Sequence, residues 1–350
     1  MREMECELLF VVGASRSGTT MLNRILGQHP AVLALNELHF FGELWDPRQR
    51  DPNWNRAMAE DAAAVLLQRV RHGIFSGEPD ADAREQAGRL IADLYQQQPT
   101  DNFPAAALFR HVLSHLPERD GEMLITDQTP RNIFYAAELL EQFPESHVVQ
   151  IVRDPRAVLF SQRKRWTKKW RGAASMHWKN VLRVLANYHP LTMIKLWIKA
   201  VRQGRNLKDH PRYHELKFES LTLEPEEQLI SLCAFLGIPF DERMLDVPQV
   251  GSSHSEHNIE KRGISASYSA DWRGHLPKGD ILIAEKAAAG LMHELGYEPV
   301  ARSGWYPWLL LPLLRLPLHV LGVIIANPKR TLIQLRALLG GGKKSNDRSD

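Results

Sequence analysis

The sequence has few of the features that would indicate a secreted or metal-binding protein. It contains two cysteines among 350 residues, Cys6 and Cys233, which lie far apart and lack the spacing of metal ligands. Both have apolar neighbours, so we interpret them as packed, reduced thiols. The first residues lead directly into a strand-like run and include no hydrophobic signal-peptide core. We therefore expect a cytoplasmic protein.

The sequence also has little net charge and no internal repeat. Its 44 lysine and arginine residues nearly balance 41 acidic residues, which gives a formal net charge of +3. That excess is too small to indicate a nucleic-acid-binding protein. Apolar residues make up 44% of the chain, which is enough to form a real buried core. The length suits one α/β domain that carries an insertion and a tail.

Short apolar runs alternate with longer segments of helical character. Such runs are typical of buried strands in a parallel sheet, and they occupy residues 8–12, 31–35, 123–126, 147–152 and 213–218. Alternating strands and helices predict an α/β fold with a doubly wound parallel sheet flanked by helices. Residues 46–120 read as helices, which predicts a helical cap inserted into this core.

The composition changes after Pro299, so we predict one domain over 1–300 and a tail over 301–350. Residues 305–326 are strongly apolar but include three prolines, Arg315 and His319, which do not suit a simple transmembrane helix. Basic residues such as Lys329 and Arg330 follow. This pattern favours an element that binds a membrane surface. Packing of the tail on the domain and a dimer contact are the alternatives.

A glycine-containing loop follows the first predicted strand and has the sequence Gly13-Ala14-Ser15-Arg16-Ser17-Gly18-Thr19-Thr20. Small residues let successive backbone N–H groups point inward, and the next helix adds its positive end, so such a loop binds a phosphate. ATP- and GTP-hydrolysing proteins have lysine after the second glycine, where this chain has Thr19. A basic residue, Arg16, precedes that glycine instead. A turn without a ligand is the alternative.

A second candidate anion site follows the strand at 147–152. Arg153 comes at the carboxyl end of that strand, where parallel sheets bind ligands, and its guanidinium can form two hydrogen bonds to a phosphate. Asp154 and Pro155 suit the cap and first turn of a helix. Ser161 and Arg165 lie four residues apart and therefore share a face of that helix. Alone, this motif could also be a surface helix cap.

Together the two motifs resemble the donor-binding site of the sulfotransferase superfamily. Residues 16–20 match its 5′-phosphosulfate loop residue for residue. Arg153 and Ser161 match its 3′-phosphate site, and Arg165 does so in the tyrosyl-protein branch. A third segment, Lys261-Arg262-Gly263 through 272–277, resembles the loop that closes over the nucleotide; a charged surface loop is its alternative.

The resemblance spans roughly residues 8–298 and implies a P-loop-like fold. It further implies that 3′-phosphoadenosine-5′-phosphosulfate (PAPS) is the sulfuryl donor and that the acceptor is a hydroxyl of a glycan, a lipid or a peptide. Protein cations would neutralise both phosphate groups, so no metal is expected. The donor-site residues implied in this way are Arg16, Ser17, Gly18, Thr19, Thr20, Arg153, Ser161, Arg165, Lys261, Arg262 and Gly263.

Sulfuryl transfer needs a base for the acceptor hydroxyl and a cation for the leaving group. Glu37 follows the second predicted strand, at the same sheet edge as Arg16. Related sulfotransferases place a catalytic glutamate at about this distance from the loop, so we predict Glu37 as the base and Arg16 as the cation. A structural role for Glu37 is the alternative. His39 is a nearby rival base, and His111 and His115 lie where the cytosolic branch of the superfamily tends to keep its histidine. All three are more consistent with ordinary surface histidines.

The sequence departs from the superfamily pattern at three positions. Gln128, Phe218 and Asp271 stand where relatives often carry Lys, Tyr and Lys, and Gln128 supplies no positive charge. Two other functions therefore stay open. One is a small-molecule kinase that uses the 13–20 loop, and the other is a non-catalytic nucleotide-binding or membrane-tethered protein. Acceptor specificity is expected to come from the cap and from residues 163–178.

Overall fold

The computed structural model describes residues 7–49, 54–74, 76–97, 103–116, 124–172, 188–248, 262–265 and 272–326. The chain divides into two compact units. The first comprises residues 1–158 and 196–271, and the second comprises residues 159–195 and 272–350.

The first unit is built on a parallel sheet. Its described residues form five strands, β1 (Glu7–Gly13), β2 (Val32–Leu35), β3 (Leu124–Asp127), β4 (His147–Val152) and β5 (Tyr213–Lys217). The strands lie in the order β2-β3-β1-β4-β5, and every neighbouring pair is parallel. The chain thus passes to both sides of β1, which confirms the predicted doubly wound sheet. In such sheets the crevice at the carboxyl end of the central strand is the usual ligand site.

Helices of the first unit connect and cover these strands. In chain order they are α1 (Thr19–Leu26), α2 (Arg56–His72), α3 (Ala81–Gln97), α4 (Ala105–Ser114), α5 (Ala136–Gln142), the first turn of α6 (Pro155–Gly172), most of α7 (Pro190–Arg205), α8 (Phe218–Leu223) and α9 (Pro225–Leu236). A 3₁₀ helix, Pro130–Tyr135, leads directly into α5.

Helices α2, α3 and α4 fall in the stretch predicted as a helical cap, and both α3 and α4 pack against α2. The Asn55 side chain caps α2 by accepting a 3.0 Å hydrogen bond from the Met58 amide. The helix ends at Gly73. The buried face of α2 carries alanines and leucines, which allows the close approach of its two neighbours.

The sheet separates two hydrophobic clusters because side chains of β1 alternate between its faces. Phe10 faces a cluster with α2 to α5, in which Phe40, Phe41, Phe109 and Phe143 stack edge to face or tilted. On the other face, Leu9 and Val11 join apolar residues of α1 and α9. Burial on both faces explains why these strands read as unbroken apolar runs.

The second unit includes α10 (Lys278–Ala287), α11 (Ala289–Glu294), a 3₁₀ helix (Ser303–Leu309) and α12 (Leu310–Ala326). The Glu285 carboxylate accepts hydrogen bonds of 2.9 and 2.8 Å from the amides of Val300 and Ala301. This contact anchors the chain just before the 3₁₀ helix. None of the helices in the described parts of the chain is both long enough and apolar enough to cross a membrane.

Candidate active site

The loop at residues 13–18 has a backbone that requires glycine at both ends. Gly13 has φ 153° and Gly18 has φ 111°. A Cβ atom at Gly13 would lie 2.5 Å from the carbonyl oxygen of Ile151, and one at Gly18 would lie 2.5 Å from a ring carbon of Phe218. Arg16 between them is also left-handed, with φ 77°. The curled backbone therefore fits an anion-binding nest that leads directly into α1.

Ser17 adds a polar atom to this loop. Its side chain is fully buried, and its Oγ has no hydrogen-bond partner among the described residues. The Ser17 amide donates a 3.0 Å hydrogen bond to the carbonyl of Ala14, which closes the turn. A buried hydroxyl without a partner beside a nest of amides fits a phosphate oxygen, since buried polar atoms are otherwise nearly always satisfied.

Gln128 contacts the same loop from the end of β3. Its Nε2 donates a 3.1 Å hydrogen bond to Oγ1 of Thr19, and both residues are buried. The side chain at position 128 therefore faces the first residue of α1, directly after the loop. The amide supplies a hydrogen bond there but no positive charge.

Arg153 lies next to the loop although 137 residues separate it from Arg16 in sequence. Its Nη1 donates a 3.4 Å hydrogen bond to the carbonyl oxygen of Arg16. Its guanidinium carbon lies 4.1 Å from the ring centre of Phe218, which is a cation–π distance. The structure thus brings both predicted arginines to one edge of the sheet, with Phe218 beside Gly18 and Arg153.

The peptide bond that follows Arg153 is held on both sides. Its carbonyl oxygen accepts a 2.9 Å hydrogen bond from Nε1 of Trp197, and its amide, which belongs to Asp154, donates one of 3.0 Å to Oε1 of Glu219. Asp154 in turn forms a buried ion pair of 2.8 Å with Arg156. Trp197, Glu219 and Arg156 have no local signature in the sequence, and the sequence analysis missed them. Only their position in the fold identifies them.

Glu37 and His39 form a hydrogen-bonded pair beyond the end of β2. Nε2 of His39 lies 2.7 Å from Oε2 of Glu37, and Nδ1 of His39 lies 3.5 Å from Oε1 of Glu43. The Glu37 side chain is 39% exposed and that of His39 is 11% exposed. The predicted base and its nearest rival are therefore in contact, with the carboxylate on the solvent side.

Several polar groups hold the backbone of this Glu37–His39 segment. Oγ1 of Thr129 accepts hydrogen bonds from the amides of Leu38 (3.0 Å) and His39 (3.2 Å). On the other side, Nη1 of Arg69, in cap helix α2, donates to the carbonyls of Leu38 (2.8 Å) and His39 (2.9 Å). Arg69 of α2 and Thr129 after β3 together hold the backbone of Leu38 and His39, directly after Glu37.

Asp127, the last residue of β3, holds the Thr129 side chain in place through a hydrogen bond. Oδ1 accepts a 2.6 Å hydrogen bond from the Thr129 hydroxyl, and Oδ2 accepts one of 2.8 Å from Nδ2 of Asn132. Burial raises the pKa of Asp127 to about 6, although these hydrogen bonds favour the ionised form and lower it in part. Because a carboxyl group with such a pKa changes its charge near pH 6, the hydrogen bonds that hold this segment depend on pH.

The other predicted donor-site residues are placed as follows. Ser161 is buried and lies in the second unit, two turns along α6. Arg165 follows one turn later in α6, but its side chain lies outside the described residues, as does the whole of Lys261. Nε of Arg262 bonds to Oδ1 of Asp246 at 2.6 Å. The amide of Gly263 donates to the carbonyl of Val247, which holds this short segment in the first unit.

The cap histidines make structural contacts. Nε2 of His111 is 3.0 Å from the carbonyl oxygen of Leu90, and Nδ1 of His115 is 2.8 Å from that of His111. Within the described residues, no group of three or more His, Cys, Asp or Glu side chains could hold a metal ion. His39 and His111 are buried, so the expectation of surface histidines is wrong for these two. Glu37 and His39 remain the candidates for proton transfer.

Comparisons with known proteins identify the family of the chain. The sulfotransferase family model matches residues 9–242. Protein-tyrosine sulfotransferase 2 of Gallus gallus is 23% identical over 312 residues, which are 86% of this chain and 72% of that protein. Carbohydrate sulfotransferase 5 of Homo sapiens is 28% identical over 337 residues, 83% of this chain and 78% of its own length.

A bacterial relative and a solved structure extend the comparison. The omega-hydroxy-beta-dihydromenaquinone-9 sulfotransferase Stf3 of Mycobacterium bovis is 26% identical over 257 residues, 66% of this chain and 62% of that protein. The sulfotransferase domain from the curacin biosynthetic pathway has the same fold, with a TM-score of 0.50 at 20% identity over 84% of this chain and 99% of that domain. The chain belongs to the sulfotransferase family.

Proposed function

We propose that the protein transfers a sulfuryl group from PAPS to an acceptor hydroxyl. The observation that carries this proposal is the nest at residues 13–18 with Arg153 hydrogen-bonded to its backbone. When bound, PAPS supplies the activated sulfuryl group and leaves as adenosine 3′,5′-bisphosphate. The residues of the chain bind and neutralise the phosphates, orient the acceptor and remove its proton.

The donor would be held by groups at both ends. Loop amides, the buried Ser17 hydroxyl and Arg16 would bind the 5′-phosphosulfate, because they combine aligned N–H donors with a cation. Arg153, Ser161 and Arg165 would bind the 3′-phosphate. Lys261-Arg262-Gly263 would cover the nucleotide. Since Gln128 is neutral, the stabilisation of charge on the leaving phosphate falls mainly to Arg16.

Glu37 would accept the proton of the attacking hydroxyl. Its carboxylate is partly exposed, so an acceptor can reach it, and the backbone of the next residue, Leu38, is held from two sides. His39 bonds to one carboxylate oxygen and would hold the group in a single orientation. A positioned carboxylate of this kind contributes roughly 10²- to 10⁴-fold in general base catalysis.

Calorimetric binding of adenosine 3′,5′-bisphosphate and of ATP, each with and without Mg²⁺, tests the donor class. We expect tight binding of the bisphosphate that does not depend on Mg²⁺ and weak binding of ATP. A preference for Mg-ATP would overturn the proposal in favour of a small-molecule kinase. Bisphosphate binding without sulfuryl transfer to tyrosine peptide, glycan or lipid acceptors would favour a non-catalytic nucleotide-binding protein, consistent with the neutral Gln128.

The acceptor would be a hydroxyl of a glycan, a lipid or a tyrosine side chain. By their names, the relatives act on protein tyrosine, on carbohydrate and on a hydroxylated dihydromenaquinone. A screen with radiolabelled PAPS over these three acceptor classes identifies the acceptor.

We also propose a reducing, cytoplasmic location. Burial raises the pKa of the Cys233 thiol to about 11, so the group stays protonated and unreactive. Thiol labelling of the unfolded chain, taken directly from cells, should show both cysteines reduced. A disulfide between Cys6 and Cys233 would contradict this location.

A further inference from the structure

Helix α12 exposes apolar side chains over most of its surface. Leucines and isoleucine of this helix are 54–72% exposed, namely Leu310, Leu311, Leu314, Leu318, Leu321 and Ile325. A soluble protein rarely exposes so continuous an apolar surface without a partner. The catalytic proposal gives these side chains no role.

One narrow stripe of side chains packs α12 and the preceding 3₁₀ helix against the rest of the second unit. Leu309, Pro312, Leu316 and His319 are spaced by three or four residues and are buried or half-buried. The carbonyl of Pro312 lies 2.9 Å from Nε2 of His189. This stripe anchors one face of the helix, so the exposed leucines belong to the remaining faces.

An aromatic and lysine cluster borders the exposed helix. Tyr306 and Trp308 in the 3₁₀ helix are 49% and 56% exposed. Nζ of Lys286 lies 5.5 Å from the ring centre of Tyr306, and Nζ of Lys278 lies 5.6 Å from that of Trp308. Aromatic rings with a polar edge, accompanied by lysines whose stems lie along apolar surface, are typical of groups at a membrane–water interface.

All charged side chains between Glu298 and Asp347 are basic. The sequence contains no Asp or Glu between Glu298 and Asp347. Over the same stretch it carries the basic residues Arg302, Arg315, Lys329, Arg330, Arg336, Lys343 and Lys344. Such a segment is complementary to an anionic surface, and two copies of it would repel each other in a symmetric dimer.

We propose that residues 303–326 dock on an anionic lipid bilayer, with α12 lying in the plane of the interface. A helix of 17 residues is about 25 Å long, so its exposed leucines can enter the acyl boundary together. Tyr306, Trp308 and the two lysines beside them lie at the level of the headgroups. Docking does not depend on the sulfuryl chemistry proposed above.

Vesicle flotation of the full-length chain tests this docking. The probes are vesicles of phosphatidylcholine alone and of phosphatidylcholine mixed with anionic phosphatidylglycerol, at low and high salt. We expect binding to the anionic vesicles that weakens with salt, because the charges are exposed. The double variant L314S/L318S should bind about tenfold or more weakly, since two large apolar side chains are lost. K278Q/K286Q should lose part of the preference for anionic vesicles.

Leu223→Ser is the matched control, because Leu223 is 68% exposed and lies in the first unit. Its binding to vesicles should equal that of the unchanged chain. All variants should also unfold at about the same temperature as the unchanged chain, which shows that they are folded and keeps this test independent of the proposed reaction. Failure of the unchanged chain to bind any vesicle would overturn the proposal. So would equal binding by L314S/L318S, or a stable dimer that this variant converts to a monomer.

Discussion

Oε2 of Glu37 lies 2.7 Å from Nε2 of His39, so the two strongest candidates for the catalytic base form one hydrogen-bonded unit. His39 has a left-handed backbone with φ 50°. Its amide is held by Thr129 and its carbonyl by Arg69. A position fixed on both sides suits a residue that orients a neighbouring carboxylate, and Glu37 is the more exposed of the two.

Replacement of Glu37 by glutamine should therefore separate donor binding from turnover. The amide keeps the shape of the side chain but cannot take up a proton, so we expect kcat to fall roughly 10²- to 10⁴-fold while bisphosphate affinity is unchanged. His39→Asn is the comparison, because asparagine tolerates a left-handed backbone. It should lower kcat by only about tenfold. A larger loss with His39→Asn than with Glu37→Gln would move the base to His39.

Two arginines between the end of β4 and the first turn of α6 should respond in different ways to the same substitution. Arg153→Gln removes a cation beside the phosphate loop, so the affinity for the bisphosphate should fall roughly 10- to 100-fold with little change in Tm. Arg156→Gln leaves the buried Asp154 without its cation and should lower the free energy of unfolding by about 3 kcal/mol. Calorimetry and thermal unfolding of both variants distinguish the two effects. Equal affinity losses would refute the assignment of Arg153.

The sheet could be predicted from the sequence because its strands are buried on both faces. Leu8 to Val12 is an unbroken apolar run followed by Gly13, and it forms most of β1. The segment after β3 could not be predicted in the same way. Nδ2 of Asn132 donates a hydrogen bond to Asp127, and a 3₁₀ helix forms up to Tyr135 before α5 begins. This conformation depends on tertiary contacts and not on the helical periodicity of the sequence. Likewise Phe218 begins α8 instead of ending β5.

The curled backbone of the loop at residues 13–18 could also be predicted, since glycines and small residues lie between a strand and a helix in one continuous stretch. The groups that support it could not. The segments that contain Glu37 and Arg153 form hydrogen bonds with residues distant in the sequence, namely Arg69, Trp197 and Glu219. A single sequence contains no sign of such pairs. The contact between Glu37 and His39 likewise has no signature in the sequence, although only one residue separates them.

Gln128→Lys should make the unfolding temperature of the chain depend strongly on bound adenosine 3′,5′-bisphosphate. An ammonium group beside Thr19 is buried, so the chain without ligand should unfold at a lower temperature. Bound bisphosphate would pair with that charge, and the gain in Tm on saturation should exceed that of the unchanged chain. Gln128→Met, which has similar size and no charge, is the control and should show no extra gain. An extra gain with methionine as large as with lysine would contradict a role for charge at this position.

Asp127 should make stability fall as pH rises. Burial raises its pKa from an ordinary value near 4 to about 6, so the folded chain binds this proton more readily than the unfolded chain. The contribution of Asp127 to the free energy of unfolding should therefore decrease, by on the order of 2 to 3 kcal/mol, between about pH 4 and pH 6. Other carboxyl groups, such as Asp46 with its lowered pKa, act in the opposite direction. The effect must thus be measured as a difference between variants.

Asp127→Asn is the variant that isolates this difference. The new amide would face the Nδ2 donor of Asn132, but Oδ1 of Asn132 has no partner among the described residues. Rotation of the Asn132 amide by about 180° restores the hydrogen bond, since its two ends exchange donor and acceptor. We expect the variant to fold and to gain stability relative to the unchanged chain as pH rises from about 4 to 7. Chemical denaturation across this range measures the difference, and parallel stability curves would show that Asp127 does not titrate there.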